Sequence, residues 1–257
     1  MLSKEDCLKA VLSWDTAKES YSRTEQLINP VFVFDFEEKD CNWIEKFNDN
    51  KAYIYARIGV YREQLNLIIT PLDKNGKPKD LEAFLNIPLT PLQKDLVLLE
   101  REETVVIKKT TLSRDLDITH CCEETELPVY NNPVLNEKTS LEEIEMWKNN
   151  CLDWFYRECT EFNGKRIFRT FTIPFTDLIK DNSKFDKIIA VFGLKYSVIY
   201  QRYIPTLIFI AVDTATMQAQ IRNAAPAGTI NTDILSNAYD WSRPCPPFCR
   251  EKLEEKN

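Results

Sequence analysis

Four of the eight cysteines form two close pairs, and the chain's one histidine adjoins the first pair. Cys121 and Cys122 are adjacent and follow His120, whereas Cys245 and Cys249 are separated by Pro-Pro-Phe. Zinc is bound by thiolate and imidazole groups, often with C-x₂₋₄-C spacing. One hypothesis is therefore a zinc site that joins Cys245 and Cys249 to His120 and to Cys121 or Cys122.

Two other interpretations apply to Cys245 and Cys249. A disulfide between them would form if the protein meets an oxidising compartment. Alternatively, the two thiols pack with Trp241 and Phe248 and clamp the tail onto its module, since prolines disfavour a place in a β-ladder. We favour the clamp, with no metal and no cofactor, because adjacent thiols such as Cys121 and Cys122 chelate poorly.

The remaining cysteines occur singly among apolar or helical neighbours. Free cysteine behaves as a small hydrophobic residue when it is buried. We therefore predict core positions, without a chemical role, for Cys7, Cys41, Cys151 and Cys159.

No enzyme motif stands out, and we predict a protein without catalytic residues. The five glycines never lie within six residues of one another, which excludes a phosphate-cradling loop. A Ser-His or Cys-His nucleophile would have to use His120, which we interpret instead as a polar residue at a strand end. The carboxylate pairs in the sequence lie in runs of charge, which is typical of a solvated face: Glu102-Glu103, Glu123-Glu124 and Glu142-Glu143.

Charge and hydropathy limit the classes of partner. Forty acidic and thirty-three basic residues leave a net charge of -7, which argues against nucleic-acid binding. The longest apolar stretch, Leu207 to Val212, is far shorter than the roughly 20 residues of a membrane helix. The first residues are acidic and polar, unlike a signal peptide. We expect a cytoplasmic protein with reduced thiols and no membrane contact.

The order of apolar segments repeats once along the chain. Each half has an aromatic-rich strand, a short amphipathic stretch, a strand ending in glycine, and an apolar strand ending in aspartate. The matching segments are 31–36, 52–59 and 65–73 in the first half, and 170–175, 188–193 and 205–213 in the second. This repetition predicts an α+β fold of two related modules.

A helix is predicted at the start of each module. Ser3 precedes Asp6, and Ser140 precedes Glu143, by the three residues that are typical of a capped helix start. Each module is then a helix packed on a small, largely antiparallel sheet, with a second short helix between strands. We place the boundary in the proline-rich and asparagine-rich stretch at 128–137.

The predicted modules are residues 1–134 and 135–257, the second of which carries the Pro/Cys tail. The strand order, the segment Asp73-Lys74-Asn75-Gly76-Lys77 and the terminal YDWSRPCPPFC resemble a group of small uncharacterised bacterial proteins that end in Pro-Cys-Pro-x-x-Cys. The chain is similar to two such units in tandem. The resemblance implies that the tail belongs to the module, and it implies no activity.

For function we favour a non-enzymatic protein-interaction or assembly protein. A bacterial immunity protein or a component of a larger complex would suit this description. Tyr196, Tyr200 and Tyr203 indicate an interface, although with Ile199 they also have the spacing of a helical core stripe. The alternatives are a zinc-stabilised or thiol-redox module and an enzyme with an unrecognised site.

Overall fold

The computed structural model describes residues 1–101, 107–121, 135–179, 186–198, 200–221 and 243–246. The α-helices in these ranges are α1 (Lys4–Ala17), α2 (Tyr21–Leu27), α3 (Glu38–Phe47) and α4 (Leu135–Phe162). The first seven strands are β1 (Leu2–Ser3), β2 (Phe32–Phe36), β3 (Tyr53–Tyr61), β4 (Gln64–Thr70), β5 (Ala83–Phe84), β6 (Asn86–Pro91) and β7 (Leu96–Arg101). The others are β8 (Ile107–Leu112), β9 (Ile118–Cys121), β10 (Thr170–Pro174), β11 (Lys187–Ser197), β12 (Arg202–Asp213), β13 (Gln218–Ile221) and β14 (Arg243–Cys245).

One large sheet contains strands from both halves of the chain. Its order is β14-β10-β3-β4-β6-β2-β11-β12-β13-β7-β8-β9, and β1 pairs separately with β5. The neighbours are antiparallel except for β13 and β7. The predicted α+β class is confirmed. The sequence predicted one small sheet in each half, whereas the structure joins the strands of both halves in one sheet.

The first long strand of each half, β2 or β10, pairs with a strand of the other half. Phe34 of β2 lies opposite Ala190 of β11, and Phe171 of β10 lies opposite Ala56 of β3. Both phenylalanines are fully buried. Strands that are joined by a hairpin pair within one segment of the chain. Because β2 and β10 pair across the halves instead, each half contributes a strand beside those of the other half.

The predicted helix starts have different outcomes. Ser3 caps α1, because its side chain accepts a hydrogen bond from the backbone N–H of Asp6 at 3.1 Å. The prediction that Ser140 begins the second helix is wrong, since α4 begins at Leu135 and Ser140 is a buried residue inside it. The second short helix is α3 in the first half and a 3₁₀ turn, Phe175–Leu178, in the second.

A glycine lies under each of the two principal helices. A Cβ atom on Gly59 of β3 would lie 3.0 Å from the Cβ of Ala10 in α1, and one on Gly193 of β11 would lie 3.3 Å from the Cβ of Glu143 in α4. Each glycine therefore lets its helix approach the sheet closely, which places α1 on β3 and α4 on β11.

Stacked aromatic rings fill the core between α4 and the sheet. The rings of Trp147 and Phe192 stack with centroids 4.6 Å apart, and Phe168 packs on Phe192 at 5.6 Å. Trp14 stacks on Phe168 at 5.8 Å and brings α1 into the same core. Aromatic residues from both halves thus share one apolar interior.

The predicted core positions are confirmed as buried for all four single cysteines: Cys7, Cys41, Cys151 and Cys159. Burial raises the pKa of Cys151 to about 12, so this thiol stays protonated near neutral pH. Among the described helices, none is both long enough and apolar enough to cross a membrane.

Candidate functional site

The β11–β12 hairpin presents three tyrosines at its tip. Tyr196, Tyr200 and Tyr203 are 51%, 40% and 41% exposed. The helical core stripe considered for these residues is wrong, because Tyr196 lies near the end of β11 and Tyr203 near the start of β12. Spacings of three and four residues fit a helix face, but here they arise from a turn that reverses the chain.

The hairpin tip is held in place against α4. Tyr196 and Tyr203 lie opposite each other in register, and their rings meet edge to face with centroids 5.3 Å apart. The indole Nε1 of Trp154 on α4 donates a hydrogen bond to the backbone carbonyl of Tyr203 at 3.1 Å. The tyrosines are therefore exposed side chains on an ordered support.

A pocket of about 770 Å³ opens between α4 and this hairpin. The volume falls within the range of sites that hold small molecules or partner side chains. Its walls include Trp154, Glu158, Arg166, Tyr196, Arg202 and Tyr203. We call this site the hairpin pocket.

A partly buried ion pair forms one wall of the hairpin pocket. The Nη2 of Arg166 lies 2.8 Å from Oε1 of Glu158, whose side chain is only 5% exposed. Burial raises the pKa of Glu158 above its ordinary value, and Arg166 opposes that change. The guanidinium of Arg166 also stacks over Phe162, with its central carbon 3.5 Å from the ring centroid. The pair is therefore oriented by packing as well as by charge.

Arg202 is the least compensated cation of the hairpin pocket. It forms no ion pair with any residue that the structure describes, and its guanidinium carbon lies 5.8 Å from the ring centroid of Tyr200. Burial, followed by the neighbouring charge of Arg166, lowers the pKa of Arg202, while Glu158 raises it. An anion placed beside Arg202 would relieve this unfavourable environment.

Two polar atoms in the hairpin pocket have no hydrogen-bond partner among the described residues. They are Oε2 of Glu158, an acceptor, and Nε of Arg166, a donor. Buried polar atoms are normally paired, and an unpaired one costs about 1–3 kcal/mol. Both atoms are buried beneath the surface, so this cost falls on the folded protein and the atoms are not offered to a bound group.

A second pocket lies over α3 and β6, and its charged residues already serve the fold. Lys39 pairs with Glu37 at 2.6 Å, and Lys187 pairs with Asp35 at 2.6 Å. The carboxylate of Asp40 accepts a hydrogen bond from the backbone N–H of Glu37 at the start of α3. We therefore take the hairpin pocket as the candidate functional site.

The cysteine-pair candidates lie elsewhere. His120 and Cys121 belong to β9, and Cys245 belongs to β14, so their backbones lie at opposite ends of the strand order. Cys122 and Cys249 fall outside the described residues. No cluster of metal-ligating side chains occurs in the described parts of the chain.

Cys245 is disulfide-bonded, and its partner sulfur lies outside the side chains that the structure describes. The tail also joins the sheet, since the backbone N–H of Arg169 donates to the carbonyl of Cys245 at 2.7 Å. The expectation that prolines exclude the tail from a ladder is wrong, because Pro244 lies opposite Phe171. β14 is an edge strand, where proline is tolerated.

Glu143 differs most from its predicted environment. It was expected on a solvated face, but it is 6% exposed, and burial raises its pKa to about 7. Its helical neighbours Ile144 and Trp147 lie on the buried face of α4. Extending the apolar stripe of these two residues to Glu143 would have predicted that its side chain is buried. The pairs Glu102-Glu103 and Glu123-Glu124 fall outside the described residues.

No family model, curated protein or solved structure matches this chain. The chemistry of the site is therefore the basis for assigning a function. Exposed tyrosines and arginines around a pocket can bind an acidic group that adjoins an apolar surface.

Proposed function

We propose that this chain is a non-enzymatic protein-binding protein whose partner docks on the β11–β12 hairpin and its pocket. The observation that carries the proposal is the group of three exposed tyrosines beside Arg202 on an ordered hairpin. Tyrosine and arginine are enriched at protein interfaces, where they often dominate the binding energy. A bacterial immunity protein, or a component of a larger complex, would use such a surface.

We also propose that the two halves are related modules that exchange the strands β2 and β10. The crossed pairs β2–β11 and β10–β3 support this relation, as do the two glycines under α1 and α4. Trp14 and Trp147 further occupy fully buried positions four residues after Ala10 and Glu143. A duplication would explain why equivalent parts recur in one sheet.

The differences between the halves coincide with the hairpin pocket. In the first half, β3 and β4 are joined by a tight turn in which Arg62 and Glu63 have positive φ, 51° and 59°. In the second half the corresponding hairpin is longer, and it carries Tyr196 and Tyr203. α1 ends at Ala17, whereas α4 runs on to Phe162 along the pocket. The second module thus has a surface that the first lacks.

Site-specific photo-crosslinking in bacteria tests the docking surface. A photoreactive phenylalanine analogue would replace Tyr196 or Tyr203 in separate variants, and Tyr61 at the end of β3 would be the matched control position. We expect a discrete adduct with one protein from the two hairpin positions and none from Tyr61. Mass spectrometry of the adduct would identify the partner.

Adducts of equal yield from Tyr61 and the hairpin would contradict the proposal, as would none from the hairpin. A real partner should also depend on the tyrosines. Tyr196→Ser and Tyr203→Ser should each weaken its binding to the purified chain by at least about tenfold, the size of a moderate hot spot.

A thiol-redox module is the second candidate function, and the disulfide of Cys245 favours it. A redox disulfide must be reduced and reformed under cellular conditions. Alkylation of free thiols at defined glutathione ratios measures the fraction of Cys245 that is reduced. Reduction and reoxidation of Cys245 at cytosolic glutathione ratios would support a redox role. A disulfide that stays oxidised at all of those ratios would be structural.

A further inference from the structure

The charges of the hairpin pocket favour an anionic group at one position. Glu158 is already paired with Arg166, and Arg157 lies 3.5 Å from Glu161, measured from Nε to Oε1. Arg202 has no such partner in the described ranges, although its guanidinium is partly withdrawn from water. A guanidinium at a recessed position binds a carboxylate well, since both nitrogens of its fork can donate.

The pocket also limits how much negative charge an occupant can carry. Asp153 and Glu158 line the same walls, and the chain as a whole has a net charge of -7. A polyphosphate or a nucleic-acid backbone would meet repulsion there. A single carboxylate would avoid most of this repulsion.

The aromatic walls of the hairpin pocket indicate what else the occupant offers. Oε2 of Glu158 and Nε of Arg166 are buried beneath the surface and are not offered to it. The rings of Trp154, Tyr196 and Tyr203 provide an apolar wall for the flanking side chain.

From these features we infer that the hairpin pocket receives an acidic peptide segment of the protein partner. A carboxylate of the segment pairs with Arg202, and a neighbouring apolar side chain packs on the tyrosines. This inference rests on the proposed function and adds the chemistry of the partner.

Fluorescence anisotropy tests the inference with defined probes. The first probe is a labelled peptide of alternating aspartate and phenylalanine, and the second replaces each aspartate with asparagine. We expect saturable binding of the acidic peptide and at least about tenfold weaker binding of the amide peptide, the value of one charge-assisted hydrogen bond.

Two variants locate the binding. Arg202→Gln should weaken binding of the acidic peptide by about tenfold or more. Arg114→Gln removes an arginine that is 68% exposed and is not among the residues that line the pocket, so it should leave the affinity unchanged. The comparison of the two peptides on the unaltered protein does not depend on how well either variant folds.

Four results would overturn the inference. The first three are equal binding of both peptides, equal losses in Arg202→Gln and Arg114→Gln, and binding of N-acetylphenylalanine as tight as that of the acidic peptide. The third result would assign the pocket to a small carboxylic acid. The fourth is failure of both peptides to bind although a partner is crosslinked at Tyr196. This result would contradict the inferred acidic segment and would still support the proposed docking surface.

Discussion

The indole Nε1 of Trp14 donates a hydrogen bond to the backbone carbonyl of Phe168 at 2.7 Å, and both residues are buried. Trp14 belongs to α1, and Phe168 precedes β10. Because β10 pairs with β3, this bond joins a helix of the first half to the strand that the second half contributes. The two halves are therefore coupled through the core as well as through the sheet.

Replacing Trp14 with phenylalanine should lower the free energy of unfolding by about 1–3 kcal/mol, because the Phe168 carbonyl is left buried and unpaired. Trp43→Phe is the control, since Trp43 is only partly buried against the core. We expect the control to cost less than about 1 kcal/mol. Urea denaturation measures the free energy of unfolding of both variants. Equal losses of stability in the two would show that the Trp14 hydrogen bond contributes little.

The close approach of α1 and α4 to the sheet predicts that Gly59→Ala and Gly193→Ala each destabilise the fold by about 1–3 kcal/mol. A Cβ at either position would lie 2.7 Å from the Cδ1 of an isoleucine, Ile68 or Ile208. Gly59→Ala should cost at least as much as Gly193→Ala, because a backbone carbon of Ala10 lies 3.1 Å from the new Cβ.

Double-mutant cycles test whether this crowding is the cause. Ile68→Val removes the contacting methyl group, so it should cost less in a Gly59→Ala background than in the natural chain. The same holds for Ile208→Val with Gly193→Ala. Thermal or urea unfolding supplies the four stabilities of each cycle, and additive costs would exclude steric crowding as the mechanism.

The buried carboxyl of Glu143 predicts a stability that falls as pH rises. Its pKa is about 7 in the folded protein and 4.5 in the reference state, with burial as the principal cause and Lys195 opposing it. Below pH 4.5 the group is protonated in both states and contributes no pH dependence. Between pH 4.5 and 7 the carboxyl ionises in the unfolded chain and stays mostly protonated in the folded protein. The free energy of unfolding therefore falls by about 3 kcal/mol across this window.

Glu143→Gln should remove this dependence. At pH 8 we expect the variant to be more stable than the natural chain by up to about 3 kcal/mol, with a difference near zero at pH 4. Glu142→Gln is the matched control, because Glu142 is the exposed neighbour and should show no such divergence. Denaturation at several pH values measures these differences in stability. Parallel curves of stability against pH for the natural chain and both variants would refute the burial argument.

The disulfide of Cys245 predicts that reductant alone lowers the melting temperature of the natural chain. The expected loss is about 2–4 kcal/mol, the usual contribution of a native disulfide. Cys245→Ala should be insensitive to reductant, and Cys7→Ala, which removes a buried free thiol, should keep the sensitivity.

Elemental analysis of the same preparations tests the zinc hypothesis. We expect substoichiometric zinc in protein purified without chelator. Two results together would make Cys245 a metal ligand: stoichiometric zinc that is lost in Cys245→Ala, and a melting temperature that reductant does not change.

Local patterns in the sequence predicted many of the elements. The apolar strands β2, β3, β4, β10, β11 and β12 form where predicted, and Ser3 caps α1. These features depend on neighbouring residues, through side-chain alternation and backbone capping, so they can be recognised without a partner. The ambiguous feature was the Tyr196–Tyr203 spacing, which suits a helix face and a hairpin equally.

Pairing between distant strands was not determined by the sequence alone. β2 and β10 are both short, apolar and aromatic, so either half offers each of them an acceptable neighbour. Only the folded chain shows that β2 joins β11 and β10 joins β3. The choice depends on the combined packing of α1, α4 and the shared aromatic core, which no single segment encodes.

The sequence by itself determined the α+β class, the positions of six strands and the buried cysteines. The tertiary structure decided that Glu143 is buried over Gly193 and that Arg202, Arg166 and Glu158 share one pocket. Burial and electrostatics depend on residues that are distant in the chain and close in space. These properties arise only when α4 packs on the β11–β12 hairpin.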